Sequence, residues 1–78
     1  MYNVVKYLRL SKEFDLTQEE LAIALGVSRH TIISIEKGGN TTAEMVLKLG
    51  HFFDKDPREI FFTHDVAHSL HRDKRKVI

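Results

Sequence analysis

Three observations predict an all-α fold. Helix-start signals recur along the chain, at Thr17 with Glu20, at Ser28, at Thr41 with Glu44, and at Asp56 followed by Pro57. Each supplies a side-chain acceptor for amides that the first turn leaves open, or a proline where no amide is needed. Between these signals the apolar residues repeat every three to four positions, and no stretch alternates long enough to build a sheet. The expected architecture is a compact domain of five helices over residues 1–63, followed by a short basic tail over 64–78.

Helix one is expected from about Asn3 to Glu13, with Val4, Tyr7, Leu8 and Leu10 on its apolar side and Lys6, Arg9 and Lys12 between them. Asn3 is its candidate cap, and Phe14 and Leu16 flank a turn at Asp15 as core residues. Helix two runs from Thr17 to about Leu25, buries Leu21, Ala22 and Leu25, and ends at Gly26, a residue suited to the left-handed stop. Helix three runs from Ser28 to Glu36 with Ile32 and Ile35 inward. Leu16 with Leu21, and Val27 with Ile32, place an apolar residue before each cap and another at the fourth helical position, a staple that fixes how the chain enters each helix.

Lys37, Gly38, Gly39 and Asn40 form a loop. Helix four, from Thr41 to about Phe53, then carries Met45, Val46, Leu49 and Phe52 or Phe53 inward. Gly50 inside it loses about 1 kcal/mol against alanine, which close packing on a neighbouring helix would explain. Helix five is short, about Pro57 to Phe62. In the tail, Val66, Ala67 and Leu70 fit one face of a sixth short helix, and the last six residues look unstructured.

A chain of 78 residues suits one small domain, with stability on the order of 5 kcal/mol. It has no cysteine, so helix packing, with dimerisation as a further source, must hold it. No apolar run approaches the ~20 residues of a membrane span and the first residues lack a long apolar signal core, so a cytoplasmic protein is expected. Up to residue 63 there are eight Lys/Arg and nine Asp/Glu; Arg72, Lys74, Arg75 and Lys76 supply the excess of +1. An argument for nucleic acid therefore rests on where cations point.

Two short capped helices joined by a tight glycine turn read as a helix-turn-helix. The stretch TQEELAIALGVSRHTIISIEKG resembles the Cro/repressor-type (XRE-like) helix-turn-helix shared by small phage repressors and many bacterial regulators. Thr17-Gln18, Glu20-Leu21-Ala22, Leu25-Gly26-Val27-Ser28, Thr31-Ile32, Ile35-Glu36 and Gly38 carry the resemblance, which extends over about residues 3–62. It implies a five-helix domain that binds double-stranded DNA. It also implies a contact from the Gln18 side-chain amide to phosphate. Two departures stand out: the loop from Lys37 to Thr42 looks one residue short, with threonine where the family usually has proline, and Arg9 has no settled register.

Such a motif presents the start of its second helix to base edges in the major groove. On helix 28–36 the residues able to reach are Arg29, His30 and Ser34, with Thr31 at the rim. Arg29 is foremost, because a guanidinium can bond guanine O6 and N7 together; the bland alternative is a solvated arginine. His30 can donate to base or phosphate or be a plain exposed histidine. Ser34 reaches through water. Ile33 meets a thymine methyl or completes the core. Ser28 is a cap first and a phosphate partner second. Lys37 and Asn40 clamp a neighbouring phosphate or are solvated loop residues. Glu36 is expected to pair internally, for example with Arg9.

His64, His68 and His71 share a helical spacing that could hold a divalent metal, but scattered solvated histidines are preferred and no metal or cofactor is assigned. No nucleophile with its base, no carboxylate pair and no phosphate loop appears, so catalysis is not expected. The expected function is that of a sequence-specific regulator, a repressor binding a palindromic operator as a homodimer through Ile60, Phe61, Phe62 and the C-terminal segment. The alternative is an antitoxin-like or protein-interaction helix-turn-helix module.

Overall fold

Five helices fold around one apolar centre, and a two-residue strand pair ties the two ends of the domain together. The computed structural model describes residues 2–63. In chain order they form β1 (Tyr2–Asn3), α1 (Val5–Arg9), α2 (Gln18–Leu25), α3 (Arg29–Glu36), α4 (Ala43–Phe53), α5 (Pro57–Ile60) and β2 (Phe61–Phe62). Tyr2 pairs with Phe62 and Asn3 with Phe61, antiparallel. The tail, with its candidate sixth helix and its three histidines, lies outside the described residues.

The local signals for α2 and α3 are realised in full. Thr17 Oγ1 accepts the Glu20 amide at 3.0 Å, and Glu20 Oε1 accepts the Thr17 amide at 2.8 Å. Gly26 takes φ +70°, and the Val27 amide reaches back to the Ala22 carbonyl at 2.9 Å. Ser28 Oγ accepts the Thr31 amide at 3.2 Å. Leu21, Ala22, Leu25, Ile32 and Ile35 are buried, with Leu16 and Val27 packed against them. α2 and α3 make the most extensive contact in the fold.

The fold is mostly helical, as expected, with the β1–β2 pair as a small addition too short to show any alternation. Three boundaries need correction. Helix one ends at Arg9, not Glu13. The Arg9 carbonyl is taken by the Leu16 amide at 2.9 Å, and the Ser11 hydroxyl donates to the Leu8 carbonyl at 2.7 Å, so side-chain and long-range partners replace the next helical bonds. Helix four is capped by Thr42, whose Oγ1 accepts the Met45 amide at 3.1 Å. That places Glu44 one position too early for a capping box. Helix five stops at Ile60, whose carbonyl accepts the Val4 amide at 3.0 Å.

The cap position of α1 is Val4, which makes no side-chain cap bond, and not Asn3 as expected; Asn3 instead bridges two elements. Its Oδ1 accepts the Val5 amide at 3.1 Å and its Nδ2 donates to the Ile35 carbonyl at 2.9 Å, a second bond on an oxygen that also accepts the Gly38 amide at 2.9 Å. Phe14, Phe52 and Phe53 form one aromatic cluster, with Phe14 edge-on to Phe53 at 4.8 Å between ring centres. Gly50 is close-packed as expected, though against the entry to α5: a Cβ there would lie 3.0 Å from the Lys55 carbonyl and 3.2 Å from Pro57 Cγ.

Candidate nucleic-acid interface

The exposed side of α3 begins one residue after its cap. Arg29 and His30 are exposed, Thr31, Ile33 and Ser34 are half-buried, and Ile32 and Ile35 are inside. Neither Arg29 nor His30 has a side-chain hydrogen bond or ion pair among the described residues. Their donors are thus turned to solvent, as groups that must meet a base edge would be. Eight residues make α3 about 12 Å long at ~1.5 Å per residue, close to the ~12 Å width of a major groove.

Grooves flank α3. In one, Arg29 stands with Thr17, Gln18 and Glu19 at the start of α2 and with Arg9 and Leu10 at the end of α1. In the other, His30, Thr31 and Ser34 face Asn40, Thr41 and Thr42 across the loop into α4. Six of the eight candidates thus gather in two grooves. Ser28 is exposed at the cap between the helices, its hydroxyl 2.9 Å from that of Thr31. Lys37 stands apart from both grooves, beside Tyr2, Asn3 and Gly38.

Asp15 and Glu19 also line the Arg29 groove, whereas Glu36, behind it, is neutralised from inside. Glu36 accepts Arg9 Nε at 2.7 Å on Oε2, and Arg9 Nη2 at 3.2 Å with Gln18 Nε2 at 3.1 Å on Oε1. The expected Arg9 pairing is therefore present. Gln18, half-buried, gives one amide hydrogen to this carboxylate and keeps a second donor and its carbonyl oxygen. Arg9 Nη1 also donates to the Leu16 carbonyl at 2.8 Å, holding the connection that leads into α2.

Thr41 and Thr42 were not among the candidates, and both line the groove beside Ser34. Thr41 Oγ1 is buried without a hydrogen-bond partner among the described residues. The only sequence signal for them was their position after the glycines, which reads equally as a helix cap. Gly39 is the reason the loop lies so close: a Cβ there would stand 2.6 Å from Ser34 Oγ and 2.8 Å from the Ser34 carbonyl oxygen. Among the described residues, no group of histidines and acids gathers as metal ligands would, and no helix is long and apolar enough to cross a membrane.

A family model described as helix-turn-helix matches residues 5–60. An uncharacterized HTH-type transcriptional regulator from Methanocaldococcus jannaschii is 44% identical over 66 residues, covering 83% of this chain and 97% of that one. A second, from Archaeoglobus fulgidus, is 40% identical over 50 residues, 63% of this chain and 70% of that one. A third, from Methanothermobacter thermautotrophicus, is 67% identical over 27 residues, 35% of this chain and 39% of that one. These relatives are archaeal, whereas the resemblance drawn from the motif pointed to phage and bacterial regulators. With the matched segment spanning all five helices, the chain belongs to the XRE family of helix-turn-helix proteins.

Proposed function

We propose that the protein is a sequence-specific DNA-binding transcriptional regulator, a repressor that sets α3 in the major groove of a palindromic operator as a homodimer. Residues 1–63 form the DNA-binding domain and 64–78 a basic tail that adds phosphate contacts. The observation that carries the reading is the pair of exposed, unengaged donors Arg29 and His30 on the first turn of α3. Arg29 reads a guanine; His30 and Ser34 contact neighbouring bases or phosphate. Gln18, Ser28, Thr31, Lys37 and Asn40 hold the backbone, Gln18 with the amide hydrogen that Glu36 leaves free.

One such domain covers a half-site of a few base pairs, so useful specificity calls for two copies about one helical turn apart, ~34 Å. Ile60 and Phe61 are buried in the monomer's own core. Of the three residues first considered for the dimer, Phe62 is the one left half-buried, its ring stacked on Tyr2 at 6.4 Å. The dimer contact is assigned to this aromatic pair together with the segment beyond Thr63.

Selection of bound sequences from random DNA tests the reading. A palindromic consensus with half-sites about ten base pairs apart is expected, with specific binding on the order of 10³-fold or more over random DNA and a steep loss of affinity with salt. Absence of both at physiological salt would move the chain to the protein-interaction class. Truncation after Thr63 should lower DNA affinity or sedimentation mass; full affinity at unchanged mass would make the tail dispensable.

A further inference from the structure

We propose that the outer face of α1 is a docking site for a short acidic segment of a partner protein, one that inserts aliphatic or aromatic side chains between two lysines. Tyr7 and Leu10 lie one turn apart and are 77% and 53% exposed. Together with Val4, Lys6 and Lys12 they line a groove of about 760 Å³. The volume falls in the range of concavities that hold an anchoring group, ~300–1,000 Å³. Two large apolar side chains exposed together in one concavity differ from the scattered exposed residues of an ordinary surface.

Charge selects the occupant. Neither lysine has a hydrogen bond or ion pair among the described residues, and both are exposed. Glu36 also borders the groove, but its carboxylate is taken by Arg9 and Gln18. The groove therefore combines apolar side chains with two cations unpaired among the described residues, the complement of a segment carrying carboxylates beside leucine or phenylalanine. The chain's own tail carries net positive charge, four Lys/Arg against two Asp over residues 64–78, and so complements the lysines less well than an acidic segment. A second copy packed by two-fold symmetry would bring this lysine-bearing face against itself. DNA would meet the lysines but leave Tyr7 and Leu10 against phosphate. The groove shares Leu10 alone with the groove that holds Arg29, so partner and DNA have adjoining but separate surfaces.

The test uses the full chain and a fluorescein-labelled twelve-residue peptide of alternating Asp/Glu and Leu/Phe pairs, with a matched peptide in which lysine replaces each acid. The acidic peptide should bind by anisotropy and shift the backbone amides of Val4, Lys6, Tyr7, Leu10 and Lys12. The double variant Lys6→Glu/Lys12→Glu should weaken it by about tenfold or more and favour the basic peptide instead. The uncharged variant Tyr7→Ser, at a residue that does not line the Arg29 groove, should also lose about fivefold or more while DNA affinity stays within about twofold. No binding at millimolar peptide, shifts on another face, or indifference to charge reversal overturns the proposal. It is equally overturned if Tyr7→Ser lowers DNA affinity about tenfold, since DNA then occupies the face, or if it lowers sedimentation mass, since a second copy does. DNA binding is measured separately throughout, so failure here leaves the reading of α3 intact. Circular dichroism on each variant confirms the fold, which these exposed positions do not support.

Discussion

Arg9 and Glu36 form a buried ion pair, 2.7 Å from Nε to Oε2, with side chains only 7% and 5% exposed. It joins the last residue of α1 to the last residue of α3 across 27 positions of sequence. Through Gln18 the same carboxylate also reaches the start of α2. Three helix ends thus converge on one acid, directly behind the surface assigned to DNA.

Breaking this pair on one side should be far worse than replacing both members. Glu36→Ala leaves a buried guanidinium without its partner and should remove about 3–5 kcal/mol, most of the stability of a domain this size. Arg9→Met with Glu36→Leu should recover much of that loss. Urea unfolding of the two single variants and the double checks it; a double loss equal to the sum of the two single losses would mean that the pair is not energetically coupled.

Arg29→Ala should leave the unfolding midpoint unchanged, because the side chain is exposed and unengaged. Specific DNA binding should weaken by about 1–3 kcal/mol, and preference should relax at a single base pair. Binding titrations against single-base operator variants provide the measurement, and unchanged specificity would remove Arg29 from reading.

Two glycines should respond to alanine for different reasons. At Gly39 a Cβ collides with Ser34 at 2.6 and 2.8 Å, and one of those atoms is backbone, so the loop must shift at about 1–3 kcal/mol. At Gly26 nothing lies within 4 Å, but φ is +70°, and a left-handed alanine costs about 1–2 kcal/mol. Amide spectra distinguish them: Gly39→Ala should move the signals of Ser34 and Asn40, whereas Gly26→Ala should lower the midpoint with little change near Ser34.

Asp54 ends α4 at φ +54° without being glycine. Asp54→Gly should raise stability by roughly 0.5–1 kcal/mol through relief of that conformation. A lower urea midpoint would show instead that the aspartate side chain contributes to the turn.

Asp56 caps α5 and holds Arg58 through a side-chain bond of 3.0 Å and a backbone bond of 2.9 Å. The Arg58 guanidinium first, and then its amide, keep the Asp56 carboxyl below its ordinary 3.8. Folding therefore lowers its proton affinity, so the cap contributes fully above pH 3.8 and loses its contribution as pH falls through the lower folded value. Titration of the Asp56 carboxyl carbon by NMR should give a midpoint below that of an unfolded reference, and Arg58→Ala should move it upward.

What the sequence determined by itself is what neighbouring residues decide. Thr17 with Glu20, Gly26, and Ser28 act within one turn of themselves, so α2, the turn and α3 could be placed from short-range chemistry. The position of Arg29 on the outer face followed from the same register. Other features depended on partners far along the chain. Two-residue strands exist only because Tyr2–Asn3 meets Phe61–Phe62, and α1 stops early because the Arg9 carbonyl finds the Leu16 amide. Thr41 and Thr42 offer the same hydroxyl, and the path of the loop over Ser34 selected the second as the cap. Whether Phe61 faced inward, and which partner Gln18 would choose, were settled by packing and by the buried charge on Glu36. Hydrogen bonds closed within a turn are written in local spacing. Those that join separate elements have no spacing to read, and only the folded chain assigns their partners.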